Sequence, residues 1–128
     1  EMLRSLVGSE MCIRDRSIQE AGRASQECVR LKVIGDCNLG HYMLADTTYT
    51  GERAISNKLR HIHWFADEKA SEGDFIWLYT GKGKNTKRGN NSNTTTHVRY
   101  WGLESAVWNN DGDCAVLFAL NDWQTEKA

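Results

Sequence analysis

His61 and His63 stand two residues apart in the segment KLRHIHWF. If that segment is extended, both imidazoles fall on one face and could give two nitrogens to a metal ion. A zinc site needs further ligands. His41, His97, Cys37 and Asp67 are the candidates, and no spacing in the chain gathers them. The preferred reading is a histidine pair on the surface or packed between strands, with a small metal-dependent hydrolase built on His61 and His63 as the alternative. A Cys–His nucleophile pair lacks the same convergence, so neither a catalytic residue nor a cofactor is expected.

The string WNNDGD has the oxygen-rich look of a calcium loop. An EF-hand spreads its ligands over twelve residues and closes on a Glu, whereas here an apolar run begins at once. Asn110, Asp111, Gly112 and Asp113 therefore read as a structural turn, built from residues that tolerate left-handed geometry. A different chemistry is offered by Lys82, Lys84, Lys87 and Arg88, with Arg99 beyond them and no acidic residue between. Such a run can track phosphates without reading bases, which makes the loop at residues 82–88 the candidate contact for a protein or nucleic-acid partner. The five tryptophans are large apolar groups that each want one hydrogen-bond acceptor. Trp77, Trp101 and Trp108 are expected as structural anchors. An exposed tryptophan pair would favour a carbohydrate platform instead.

The elements that would carry these residues are short. Proline is absent from the 128 residues, and segments rich in Val, Ile, Trp, Tyr and Phe are separated by Gly, Asn and Asp. CVRLKV and HYMLAD alternate with period two, as half-buried strands do. FIWLY, residues 75–79, is a continuous apolar run suited to a central strand. VRYWG reads as a further strand. SAVWNNDGDCAVLFAL reads as a hairpin, with arms at 106–108 and 114–120. The segment from Gly81 to Thr96 reads as a long polar loop. Only residues 17–27 and the C-terminal NDWQTEKA have any helical character, and the former is equally a disordered lead-in. Six or seven short strands with regular turns imply an all-β sandwich or closed barrel.

The net charge of −1, with 26% charged residues, makes no global case for nucleic acid or a membrane surface. No apolar run approaches the roughly 20 residues of a membrane helix, so a soluble chain without membrane insertion is expected. Outside the first sixteen residues the cysteines are Cys28, Cys37 and Cys114. An odd number without a Cys-x-x-Cys pair favours buried free thiols, with one disulfide left open.

Two resemblances frame these readings. Residues 5–16, SLVGSEMCIRDR, resemble a translated reading frame of a transposase-library sequencing adapter. Residues 1–16 are accordingly set aside as adapter-derived, 17–27 are taken as the lead-in and 28–128 as the domain, with the native start and any signal peptide expected to be missing. From CVRLKV onward, KASEGDFIWLYTGKG and RYWGLESAVWNNDGDCAVLF resemble the bacterial type of lamin tail domain. In that comparison Gly73 and Asp74 match the family's turn, and Tyr42 and Leu44 fill its Trp and aliphatic places. The resemblance implies an immunoglobulin-like β-sandwich acting as a non-catalytic binding or scaffold module, in a family whose partners include DNA. The basic 82–96 segment and HIHW depart from the family pattern.

Overall fold

The computed structural model describes residues 11–51, 54–109 and 112–128. The chain is an all-β sandwich. One layer is a five-stranded sheet built from β1 (Ile13–Gln19), β2 (Cys28–Val33), β7 (Phe75–Tyr79), β9 (Thr95–Tyr100) and β8 (Thr86–Gly89), in the order β1-β2-β7-β9-β8. The other is a three-stranded sheet in the order β10 (Asp113–Ala119), β4 (Tyr42–Thr48), β5 (Ile62–Trp64). A two-residue pair, β3 (Cys37–Asn38) with β6 (Lys69–Ala70), lies beside a 3-10 turn at Leu39–His41. Pairing is antiparallel except between β7 and β9, which run parallel and therefore need a crossover; that crossover contains β8.

Period-two alternation decides what each layer buries. Val29, Leu31 and Val33 on β2, Ile76 and Leu78 on β7, and Ile13 on β1 turn inward. They meet Tyr42 and Leu44 on β4, with Ala115 and Leu117 of β10 packed alongside. Leu39, Phe65, Val107 and Trp108 complete the core from the connections. Each large apolar side chain removed from water in this way contributes about 1.5–3 kcal/mol.

The structure differs from the sequence reading at four places. The hairpin does not form: β10 pairs with β4 along its whole length, Cys114 opposite Thr47 and Ala119 opposite Tyr42, and residues 106–108 form no strand. The 81–96 segment is not loop throughout, since Thr95 and Thr96 begin β9 and a short edge strand, Thr86–Gly89, pairs antiparallel with it. Its side chains are all exposed, and a charged edge strand of this kind discourages sheet-to-sheet aggregation. The sheet reaches back past residues 28 and 17 to Ile13, which is fully buried and lies opposite Val33, with a bulge at Arg16. Neither residues 17–27 nor the C-terminal NDWQTEKA is helical.

The turn into β7 shows how local sequence fixes geometry. Asp74 N donates to Ser71 O at 2.9 Å, and Gly73 takes φ +95°, the left-handed value that the third position of such a turn requires. A Cβ at Gly73 would also stand 2.9 Å from Thr94 Cγ2. Gly73→Ala is expected to cost about 1–2 kcal/mol, seen as a lower urea midpoint; an unchanged midpoint would show that the turn relaxes. Buried Asp74 then ties this turn to β9. Its carboxylate accepts from Ser71 N (3.0 Å), from Thr95 N (3.0 Å) and from His97 Nε2 (2.9 Å). Burial alone would raise its pKa, but these hydrogen bonds and the histidine's charge hold it below the ordinary value.

Candidate functional site: a basic aromatic sheet face

The outward positions of the five-stranded sheet form one surface. Reading the registers across it, Lys32, Phe75, Thr96 and Arg88 make one row, and Arg30, Trp77, Val98 and Thr86 the next. Cys28, Tyr79 and Tyr100 make a third. From β1, Arg14 lies opposite Lys32 and Ser17 opposite Arg30. No outward position of these rows is acidic.

Cations lie over the rings. The Arg30 guanidinium is 4.4 Å from the centre of Trp77, Arg88 is 5.6 Å from the same ring, and the Lys32 ammonium is 5.6 Å from Phe75. Tyr79 and Tyr100 stack at 5.3 Å. Val98 and Thr96 are buried although they face outward, because the stems and rings above them exclude water. At one corner a cleft of about 450 Å³ opens among Arg16, Arg30, Trp77, Arg88 and the turn at Asn90, Asn91 and Ser92. Asn90 shapes that turn: its Oδ1 accepts from Ser92 N (2.9 Å) and Thr94 N (3.2 Å), and its Nδ2 donates to Thr96 Oγ1 (3.1 Å).

The five basic residues read from the sequence are dispersed by the fold. Arg88 alone joins the face. Lys82 is exposed and pairs with Glu104 at 3.2 Å, and Lys84 is exposed. Lys87 points to the other side of β8 and pairs with Glu68 at 2.9 Å. Arg99 is buried on the inward side of β9, where its Nη1 donates to Thr86 O (3.0 Å) and Val98 O (2.9 Å) and Nη2 lies 3.7 Å from Glu68. Its work is structural, clamping the edge strand.

Of the three aromatic anchors, Trp108 is buried and Trp101 is half-buried against the core. Trp77 departs from expectation, since its ring lies on the outer face. Arg30 and Lys32, which the sequence reading did not single out as site residues, carry the same period-two signal that places Val29 and Leu31 inside, whereas Phe75 lies in an unbroken apolar run that has no such signal. Asn110 and Asp111 fall outside the described residues. Gly112 O accepts from Tyr49 N at 2.9 Å, and Asp113 Oδ2 accepts from Asn109 N at 3.1 Å.

His61 and His63 do share a face, both edge-on to Trp101 at 6.3 and 5.9 Å. No metal cluster accompanies them: among the described residues no group of three or more His, Cys, Asp or Glu is gathered that could hold a metal ion. His61 Nδ1 instead lies 3.1 Å from Asp46, which also accepts from the His61 amide at 2.7 Å. Burial, with the nearby Arg99 charge, pushes the His63 pKa down to about 4. Cys28, Cys37 and Cys114 are free thiols; burial raises all three, Cys28 and Cys37 to about 11, which disfavours the reactive thiolate.

A second aromatic feature lies on the other layer. Trp64 and Trp123 are 47% and 46% exposed, and their rings meet edge to face at 5.0 Å. Trp64 Nε1 donates to Gly40 O at 2.7 Å, which fixes its ring.

Fold and surface together define an all-β sandwich with a cation-and-ring face on one sheet. Among the described residues no helix is long and apolar enough to cross a membrane. Comparison with family models, with curated proteins and with solved structures finds no match to the chain.

Proposed function

We propose that the chain is a non-catalytic binding module of lamin-tail type whose partner is a polyanion, nucleic acid being the partner class this surface suits. The observation that supports it is the acid-free outer face on which Arg30, Lys32 and Arg88 lie over Trp77 and Phe75. The contact thereby moves from the 82–88 loop to the sheet, and of the loop's cations only Arg88 takes part. Arg14 and Arg16 fall within the adapter-like residues; the stacked cations do not include them, although Arg16 lines one side of the cleft.

Neutralising phosphates releases condensed counterions, so affinity should fall linearly in log–log form as salt rises. The Arg30→Ala, Arg88→Ala double variant should lower the magnitude of that slope by about 1.4 on a single strand, at roughly 0.7 per phosphate contact. Lys84→Ala should change little. Fluorescence anisotropy with labelled oligonucleotides checks both; absence of binding to any polyanion at low salt would sink the proposal.

A second reading is carbohydrate binding, favoured by the exposed Trp64 and Trp123. Their perpendicular rings offer a corner rather than a shared plane. Tryptophan quenching by sugars that disappears in Trp64→Ala would favour this reading. Silence across a glycan array would retire it.

A further inference from the structure

We infer that the polyanion is single-stranded and that one of its bases enters the cleft beside Trp77; this rests on the polyanion reading above and adds the form of the ligand. Size comes first. A cleft of about 450 Å³ lies within the range of small-molecule sites, roughly 300–1,000 Å³, and can take one nucleotide but no part of a double helix.

The lining supplies what an unpaired nucleotide needs. Trp77 and Phe75 are two residues apart on β7, so their positions repeat at about 6.6–6.8 Å along the strand, a spacing on which two successive unstacked bases can lie. Arg30 holds the Trp77 ring at 4.4 Å, whereas Arg88 is looser at 5.6 Å and exposed. A base that displaces Arg88 exchanges a cation–π contact for stacking and frees the guanidinium for the attached phosphate. Arg30 Nε is buried with no hydrogen-bond partner among the described residues. A ligand acceptor would reach that buried atom only if the guanidinium shifts toward the cleft. At the rim, Asn91 and Ser92 offer amide and hydroxyl groups to a base edge.

The test compares three probes on the full chain at low salt by anisotropy or competition: an oligothymidine of about 15 nucleotides, a duplex of the same length, and heparin. The single strand should bind at least about tenfold more tightly than the duplex. Trp77→Leu should weaken the single strand by about tenfold, a typical loss for one stacked base, and should weaken heparin clearly less, since heparin meets the cations and has no base to stack. Trp77→Phe, which keeps a ring, should recover most of that loss. Should Trp77→Leu fail to fold, the Phe variant and the single-strand to duplex ratio still decide. Equal affinity for all three probes would overturn the base-in-cleft inference and leave the polyanion reading standing. Binding to none of them would overturn both.

Discussion

Glu27→Ala should destabilise the chain by roughly 3–5 kcal/mol, because the buried donors that its carboxyl group satisfies would lose their acceptor. Glu27 is 0% exposed, at the entry to β2. Its Oε2 accepts from the Thr80 hydroxyl, from Val107 N at 2.8 Å and from Trp108 N at 3.4 Å, while Oε1 accepts from Gly22 N at 3.0 Å. One carboxylate thus satisfies the backbone of the irregular 106–108 segment, which has no strand partner, and pins it to the end of β7. Alanine would leave several donors unpaired in the interior, each costing about 1–3 kcal/mol before any relaxation. Glu27→Gln keeps one oxygen acceptor and should recover part of the loss. Urea unfolding of the three proteins checks this, and a loss under about 1 kcal/mol in the alanine variant would show that water replaces the carboxylate. Against a typical total of 5–15 kcal/mol, the expected loss is enough to leave the variant partly unfolded.

Stability should also fall as pH drops from about 6.5 to 4, and His63→Gln should flatten that part of the curve. His63 lies opposite Leu44 on the inward side of β5, with Phe65 at 4.8 Å and Trp101 at 5.9 Å. Burial there first, and the charge of Arg99 second, hold its pKa down to about 4. An unfolded chain takes up this proton near pH 6.5. Between the two values the unfolded state binds the proton and the folded state does not, so acid favours unfolding across that window and adds nothing further below it. The full effect is roughly 3 kcal/mol, since each tenfold difference in proton affinity between the two states is worth about 1.36 kcal/mol. Asp74 acts in a separate window. Its lowered pKa contributes stability above the ordinary carboxylate value, and that contribution is lost as pH falls through the depressed one. Denaturation midpoints at a series of pH values separate the two: a His63→Gln curve that still falls between 6.5 and 4 would rule out His63 as the source.

Strands with strict alternation were legible because their signal is local. CVRLKV reports its own inward and outward sides, and β2 and β4 lie where period two puts them. The turn at Gly73 was legible for the same reason, since only a few residues must agree. The hairpin failed because the turn residues before Cys114 specify a reversal and not a partner. The strand β10 finds β4 some seventy residues away in sequence, and residues 106–108 are held by Glu27 instead. FIWLY misled in another way. A continuous apolar run suggests burial on both sides, yet the outer side of β7 is covered by the stems of Arg30, Arg88 and Lys32 and not by a second layer. Arg88 and Trp77 were each visible in the sequence, in separate groups. The order β7-β9-β8 is what brings them within 5.6 Å.

By itself the sequence determined an all-β chain, the sidedness of its best-patterned strands and the tight turn into β7, because alternation and backbone preference act over a few residues. The tertiary structure alone decided which cations share a surface, that Arg99 and Lys87 face away from it, and that two histidines two residues apart both meet Trp101. Those outcomes depend on strand order and register, and hydrogen bonds between distant strands set both without leaving a mark on either strand alone.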